Sequence, residues 1–308
     1  MPRIAFVFPG QGAQYPGMGK ELAEKYEEAA QVFTAADRIS PYSISSLCFT
    51  GPAEQLNQTE FAQPALLTSS LAALVVAKKL GICADILAGL SLGEYTALVA
   101  AGALSLEEAL PLVQKRAILM QEAVPPGEGA MAAVLGMEAS RLEDFCAMAR
   151  GQVGIANYNC PGQLVISGEK EAVQAVTASI KEAGGRVIPL AVSVPSHSPL
   201  MYEAAMKLKA ELAQVKWQEP LIPVVSNVNA RENGAPDFEE LLAQQLFKPV
   251  LWEQSIRYMM DKADYFVEIG PGSTLSGLIK KIDRHRVLGQ VENLSSLEKL
   301  IKKVESLC

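Results

Sequence analysis

The chain has 308 residues, 49% of them hydrophobic, which is enough to bury a large core as one big domain or two unequal ones. Its 27 Lys and Arg against 34 Asp and Glu leave a net charge of -7, which argues against broad binding to the phosphate backbone of nucleic acids. Five widely spaced cysteines, without a C-x-x-C pair, indicate reduced thiols and not disulfides or zinc ligands: Cys48, Cys83, Cys146, Cys160 and Cys308. No segment has the pattern of a signal peptide or a membrane span, so we expect a soluble, cytoplasmic protein.

Apolar runs that alternate with amphipathic patterns predict α/β layering over the first 125 residues. An apolar strand at Ile4–Phe8 leads into a Gly-rich turn, and a second strand, Ile82–Ala88, leads into another turn before a helix at Glu94–Ala101. Strands that end in this way are typical of a parallel sheet. The cluster Pro125-Pro126-Gly127 then predicts a boundary.

The segment 126–195 has the β-α-β-β-α-β order of a ferredoxin-like unit. Its predicted elements are the strand Ala130–Leu135, the helix Glu138–Ala149, the strands Val153–Asn157 and Gln163–Ser167, the helix Lys170–Ala183 and the strand Arg186–Leu190. Beyond it we predict helices at Pro199–Gln214 and Leu241–Lys262 and short strands at Ile222–Ser226 and Tyr265–Ile269. The sequence therefore predicts a small ferredoxin-like subdomain (126–195) inserted in a larger α/β domain (1–125 and 196–308).

The strongest local motif is Gly89-Leu90-Ser91-Leu92-Gly93, because it follows a predicted strand and opens a predicted helix, as a nucleophile elbow requires. Small residues around Ser91 permit a sharp turn, and the helix N-terminus behind it supplies free N–H groups for a developing oxyanion. A serine that merely caps a helix produces the same pattern, so the motif needs a base to support it.

A serine hydroxyl becomes a good nucleophile only beside a base, and the chain has two histidines. His285 lies in the charged run Asp283–Arg286, where a solvated surface side chain is expected. His197 lies in a loop bracketed by Pro195 and Pro199, which restrict its backbone. His197 is therefore the candidate base, with an ordinary loop histidine as the alternative.

A second Gly-rich turn, Pro9-Gly10-Gln11-Gly12, follows the first strand and would bring backbone N–H groups against a ligand. Such turns also serve phosphate sites. The chain has neither G-x-G-x-x-G nor G-x-x-x-x-G-K-[ST], so nucleotide binding is not favoured.

Six motifs, in order along nearly the whole chain, resemble those of the malonyl-CoA:acyl carrier protein transacylases. They are Phe8-Pro9-Gly10-Gln11-Gly12, Gly89-Leu90-Ser91-Leu92-Gly93-Glu94, Gln114-Lys115-Arg116, Ile155-Ala156-Asn157-Tyr158-Asn159, Val194-Pro195-Ser196-His197-Ser198-Pro199 and Glu268-Ile269-Gly270-Pro271-Gly272. In that family a hydrolase-like α/β domain carries an inserted ferredoxin-like subdomain, which agrees with the pattern of elements above.

The resemblance implies a ping-pong acyl transfer in which Ser91 carries the acyl group as an ester and His197 is the general base and acid. Backbone N–H groups of Gln11 and Leu92 would form the oxyanion hole. The family commonly has histidine just before the nucleophile, whereas Leu90 stands there in this chain.

The resemblance also assigns residues around this pair. Arg116 would bind the free carboxylate of the malonyl group through two parallel hydrogen bonds. The backbone carbonyl of Gln245 would orient His197 in place of the acid of a Ser-Asp-His hydrolase, and Asn159 would lie near the substrate.

The implied partners are malonyl-CoA and an acyl carrier protein, with the CoA thioester a substrate and no cofactor or metal. We expect a monomer that binds neither nucleic acid nor a membrane. Because carrier proteins are acidic, the basic cluster Lys280, Lys281 and Arg284 is a candidate docking surface, with a solvated helix end as the alternative.

Three other functions stay open on the sequence. The same motifs occur in acyltransferases that act in trans in polyketide synthesis. A serine thioesterase or hydrolase releases the same acyl-enzyme with water instead of a thiol. A non-catalytic carrier-binding module would retain the fold alone.

Overall fold

The structure is a computed structural model that describes residues 2–190, 192 and 194–307. Cys308 lies outside these residues, and the other four cysteines are free thiols. The strands are β1 (Ile4–Phe8), β2 (Ile86–Gly89), β3 (Gly129–Leu135), β4 (Val153–Cys160), β5 (Gln163–Glu169), β6 (Arg186–Pro189), β7 (Val224–Val225), β8 (Tyr265–Ile269) and β9 (Val287–Val291).

Helices pack against both sheets. They are α1 (Lys20–Lys25), α2 (Glu27–Ile39), α3 (Ile44–Thr50), α4 (Ala53–Leu56), α5 (Thr59–Lys79), α6 (Leu92–Ala100), α7 (Leu106–Glu122), α8 (Ala139–Met148), α9 (Lys170–Glu182), α10 (Tyr202–Leu212), α11 (Ala235–Gln245), α12 (Trp252–Met260), α13 (Thr274–Ile282) and α14 (Leu294–Glu305).

The larger sheet is parallel throughout, in the order β7-β2-β1-β8-β9. Its central strand β1 is an unbroken apolar run with every residue buried, because helices cover both faces of the sheet. The carboxyl ends of parallel strands meet at one edge. The turn after β1, the turn after β2 and the segment after β7 therefore converge there, where ligands bind in open α/β sheets.

The smaller sheet is antiparallel, in the order β4-β5-β3-β6, and α8 and α9 pack on it around their own apolar core. It also contacts the segment between α11 and α12. The backbone N–H of Val250 donates to the Ala156 carbonyl at 2.8 Å, and the N–H of Tyr158 donates to the Val250 carbonyl at 2.9 Å. These bonds tie strand β4 to the chain that follows Gln245.

The fold is the predicted one, a hydrolase-like parallel-sheet α/β unit with a small antiparallel subdomain, and most predicted elements are present with shifted ends. The strand that ends at Ala88 is shorter than predicted, because only Ile86–Gly89 pairs with its neighbours. The helix predicted from Pro199 opens as a turn of 3-10 helix at Pro199–Met201 and continues as α10.

One helix prediction is wrong. Leu241–Lys262 is not a single helix but the end of α11 and all of α12, with an extended link between them. Pro249 disfavours helix in the residue before it and supplies no N–H, and Val250 pairs with β4 instead. Strand β9 and helix α14 were not predicted.

Helix α5 is the one described helix long and apolar enough to cross a membrane. In the fold, 83% of its most apolar 18-residue window is buried inside the protein. It packs against helices α1–α4, α6 and α7 and against strands β8 and β9, so it is a core helix of the larger unit.

Candidate active site

Ser91 lies on a strained turn between β2 and α6, with φ 53° and ψ -106°. Glycines on both sides make this turn possible. A Cβ on Gly89 would overlap the backbone of Gly93, and a Cβ on Gly93 would overlap the carbonyl of Phe8 at the end of β1. A non-glycine residue in this conformation persists only where its surroundings over-determine it. The predicted elbow is therefore present, with Ser91 at its tip.

His197 faces Ser91 from the loop before α10. Its Nε2 lies 2.9 Å from Ser91 Oγ, and its Nδ1 lies 2.7 Å from the backbone carbonyl oxygen of Gln245. A carbonyl oxygen only accepts hydrogen bonds, so Nδ1 carries the ring proton. The lone pair on Nε2 is then free to accept the hydroxyl proton of Ser91, which is the tautomer that a general base needs.

Burial and the nearby charge of Arg116 both disfavour the imidazolium form of His197. Together they lower its pKa to about 4, and the hydrogen bond to Gln245 only partly opposes them. The ring is 5% exposed. At neutral pH it is therefore uncharged and ready to take a proton.

Arg116 projects from α7 into the same place and is 1% exposed. Its Nη2 donates to Ser91 Oγ at 3.1 Å and to Gln245 Oε1 at 2.9 Å, and its Nη1 donates to Gln63 Oε1 at 2.6 Å. Its guanidinium also lies 5.4 Å from the ring centroid of Tyr95. Burial lowers the pKa of Arg116, while the charge of Glu94 acts in the opposite direction.

The hydrogen-bond acceptors of Arg116 among the described residues are a hydroxyl and two amides, not carboxylates. Its Nε also has no partner among them. A buried guanidinium without a directly bound counter-ion costs free energy unless an anion satisfies it. Its position beside Ser91 Oγ therefore suits an acyl group that carries a carboxylate.

The predicted oxyanion donors flank the elbow. Leu92 is the first residue of α6, and Gln11 lies in the turn after β1, whose Gly10 packs so closely on the Leu90 carbonyl that a Cβ would overlap it. Neither backbone N–H donates to another described residue. The Gln11 side chain is turned aside and donates to Thr59 Oγ1 at 3.1 Å. Both backbone N–H groups thus remain available, one at the N-terminus of α6 and one in the turn after β1.

Sequence reasoning missed three residues that hold this cluster together: Gln63, Glu94 and Asn227. The side chain of Asn227 accepts from the backbone N–H of Ser91 at 2.6 Å and donates to the Gly89 carbonyl at 2.7 Å. Its own backbone N–H donates to Glu94 Oε2 at 3.1 Å. A polar residue just after β7, at the carboxyl edge of the parallel sheet, was the available signal for Asn227.

The remaining predicted residues lie outside the hydrogen bonds of Ser91, His197 and Arg116. Asn159 is on β4, with its Oδ1 buried and unpartnered among the described residues. Lys280 and Lys281 lie in the last turn of α13, and Arg284 follows the helix. All three are exposed, and Lys281 Nζ donates to Gln163 Oε1 at 2.6 Å. His285 is exposed, as expected.

The parallel sheet carries a serine elbow, and its histidine is hydrogen-bonded to a carbonyl where Ser-Asp-His hydrolases have a carboxylate. These features define the class of this protein as an acyl transferase domain. Residues 5–304 match the family model of that description. The protein is 47% identical to the malonyl CoA-acyl carrier protein transacylase of Bacillus subtilis (strain 168), over 99% of this chain and 98% of the relative. It is 45% identical to the malonyl CoA-acyl carrier protein transacylase of Escherichia coli (strain K12), over 92% of this chain and 93% of the relative.

Solved structures agree over the whole fold. The malonyl CoA-acyl carrier protein transacylase of Clostridium perfringens superposes with a TM-score of 0.96 at 43% identity, covering 99% of this chain and 98% of that one. A malonyl-transacylase solved in complex with a type II PKS acyl-carrier protein superposes with a TM-score of 0.95 at 39% identity, covering 99% of each. The chain belongs to the malonyl CoA-acyl carrier protein transacylase family.

Proposed function

We propose that the protein moves a malonyl group from malonyl-CoA to the phosphopantetheine thiol of an acyl carrier protein, through an ester on Ser91, and supplies fatty-acid synthesis. One observation carries the proposal: Ser91 Oγ contacts both His197 Nε2, at 2.9 Å, and Arg116 Nη2, at 3.1 Å. The first contact activates an acyl acceptor, and the second places a cation where the acyl group would be attached. Family membership supports the same reaction.

In the first half-reaction, Ser91 Oγ attacks the thioester carbonyl while His197 Nε2 takes the hydroxyl proton. The N–H groups of Gln11 and Leu92 receive the oxyanion, each contributing about 10²–10³ in rate by comparison with other acyl-transfer sites. The tetrahedral intermediate then collapses. The C–S bond breaks, and the imidazolium returns its proton to the CoA sulfur, leaving the ester on Ser91.

The second half-reaction reverses these steps with the carrier thiol. His197 takes the thiol proton, the sulfur attacks the ester carbonyl, and Ser91 recovers its proton as the product leaves. The guanidinium of Arg116 holds the malonyl carboxylate through both halves, because the acyl group stays at the same serine. The reaction uses no metal or cofactor in this proposal, and the protein acts as a cytoplasmic monomer.

The experiment is incubation with radiolabelled malonyl-CoA, with and without holo carrier protein. We expect a labelled enzyme whose intact mass rises by one malonyl group, and transfer of that label to the carrier. The Ser91→Ala variant should take up no label. Label released only as free malonate would instead support a hydrolase, and no acylation at all would support a non-catalytic carrier-binding module.

A carrier of polyketide synthesis is the second candidate partner. The neighbour in complex with a type II PKS acyl-carrier protein is 39% identical and shares the whole fold with this chain. Comparing kcat/KM for a fatty-acid carrier and a polyketide carrier from the same cell distinguishes the two settings.

A further inference from the structure

Glu94 is a carboxyl group buried inside the site, and the reaction proposed above does not use it. It lies on α6, three residues after Ser91, and is 3% exposed. Its Oε2 accepts from Gln245 Nε2 at 2.6 Å and from the backbone N–H of Asn227 at 3.1 Å. Burying a carboxyl group is costly, so its presence without a directly bound cation among the described residues calls for a role.

We propose that Glu94 is a positioning residue that fixes the side-chain amide of Gln245 and, through that amide, the guanidinium of Arg116. The inference rests on the malonyl transfer proposed above and adds a determinant of its acyl selectivity.

The contacts of the Gln245 amide show how the positioning works. Its NH₂ group donates to Glu94 Oε2 at 2.6 Å and to the Ser91 carbonyl at 3.0 Å, and its Oε1 accepts from Arg116 Nη2 at 2.9 Å. Glu94 Oε2 accepts from the backbone N–H of Asn227 as well, and the guanidinium of Arg116 can only donate. The NH₂ end must therefore face Glu94, which turns the oxygen toward Arg116. In the reversed orientation the NH₂ group of Gln245 would face Arg116 Nη2, and two hydrogen-bond donors would oppose each other.

The charge of Glu94 reaches Arg116 without an ion pair. Burial raises the pKa of Glu94 to about 7, against the hydrogen bonds from Gln245, Asn227 and Ser226 and the charge of Arg116, which lower it. A carboxylate in direct contact with the guanidinium would compete with the carboxylate of an acyl group. With an amide between them, Glu94 holds Arg116 in place and leaves it able to bind the substrate anion.

His197 depends on a different atom of the same residue. Its Nδ1 donates to the backbone carbonyl oxygen of Gln245, an atom that is not part of the side-chain amide. Losing the Glu94 contact should therefore disturb Arg116 more than His197. The rate of transfer of an acyl group that carries a carboxylate should therefore fall more than the rate for an acyl group that carries none.

The test is Glu94→Gln assayed at pH 8, above the pKa of about 7, where the substitution keeps the size of the side chain and removes its charge. We expect the ratio of kcat/KM for malonyl-CoA to that for acetyl-CoA to fall about tenfold, mostly through the KM for malonyl-CoA, as expected for a lost charge-assisted hydrogen bond. The matched control is Glu268→Gln. Glu268 is also buried, with its pKa also raised to about 7 by burial, but it caps the start of α13 through the N–H groups of Leu275 and Ser276. That variant should lose thermal stability and keep the wild-type ratio.

The outcomes separate this inference from the proposed function. A wild-type enzyme that transfers no malonyl group to the carrier refutes the function itself. A wild-type enzyme that does so, with an unchanged ratio in Glu94→Gln, overturns only the role of Glu94. If Glu94→Gln does not fold, Glu94→Asp decides, because its carboxylate is one methylene shorter: a lower ratio supports the inference, and a wild-type ratio overturns it.

Discussion

The Nδ1 atom of His197 donates a hydrogen bond to the backbone carbonyl oxygen of Gln245 at 2.7 Å. Ser-Asp-His enzymes place a carboxylate at this point. A carbonyl fixes the same tautomer of the ring but brings no negative charge, so it stabilises the imidazolium less. The uncharged orienting group, together with burial, is consistent with the low pKa of His197.

The first prediction concerns the pH dependence of Ser91 reactivity. A base whose pKa is lowered to about 4 stays neutral, and therefore competent, as pH falls from 8 to 5, and is lost only as pH passes through about 4. We expect the rate of labelling by an uncharged sulfonyl fluoride to be nearly constant above pH 5.5. A midpoint near 6.5, the ordinary value for histidine, would show that burial and the charge of Arg116 do not lower the pKa of His197.

The same pKa shift has a consequence for folding. In the unfolded chain His197 binds a proton below about pH 6.5, whereas in the folded protein the ring binds one only below about pH 4. This group therefore contributes stability that is present above pH 6.5 and declines as pH falls from 6.5 to 4. In His197→Gln, thermal melts should show a smaller loss of stability over that interval than in the wild type.

Arg116→Ala should abolish the preference for malonyl over acetyl. Removing the guanidinium leaves the malonyl carboxylate in a closed site without its partner, a loss of roughly 2–5 kcal/mol by analogy with truncated buried pairs. Steady-state transfer from malonyl-CoA should fall by at least ~30-fold while transfer from acetyl-CoA is retained or rises. Lys115→Ala, on the solvent side of the same helix, is the control and should change neither. Equal losses for both donors would show that Arg116 serves the fold.

Gly93→Ala should distort the elbow, because the added Cβ would overlap the Phe8 carbonyl of β1. We expect a lower melting temperature and a loss of Ser91 acylation measured by intact mass. The control is Gly277→Ala in α13, where a Cβ meets nothing within 4 Å. That change should leave acylation intact and stabilise by about 0.4–1 kcal/mol. Comparable damage from both substitutions would argue against close packing at the elbow as the cause.

Reversing three charges tests the docking surface. The triple variant Lys280→Glu, Lys281→Glu and Arg284→Glu should raise the KM for carrier protein in low salt, since carrier proteins are acidic, and the effect should shrink as salt is added. The control changes three exposed cations near the N-terminus, with the same change in net charge: Lys20→Glu, Lys25→Glu and Arg38→Glu. An unchanged KM in the first variant, or an equal rise in both, would exclude a specific docking role.

Much of the fold was predictable because its signals are local. The apolar run of β1 and the alternation of elements in 126–195 follow from which residues must be buried, and the structure confirms them. The elbow at Ser91 was predictable for the same reason, since the glycines at 89 and 93 are what its steric limits demand. The break between α11 and α12 was missed, because it depends on Val250 pairing with β4, nearly a hundred residues earlier in the chain.

The sequence by itself determined the serine, its turn and a restricted loop histidine, because short-range sterics decide these. Only the resemblance to a family indicated Gln245, and nothing in the sequence pointed to Gln63 or Glu94. Asn227 had one weak signal, its place just after the short strand β7. Gln63, Gln245 and Asn227 meet Arg116 or Ser91 only in the tertiary structure, where Glu94 in turn meets the side chain of Gln245. The physical reason is that the carboxyl ends of parallel strands converge at one edge, where buried polar groups must find their hydrogen-bond partners across the fold.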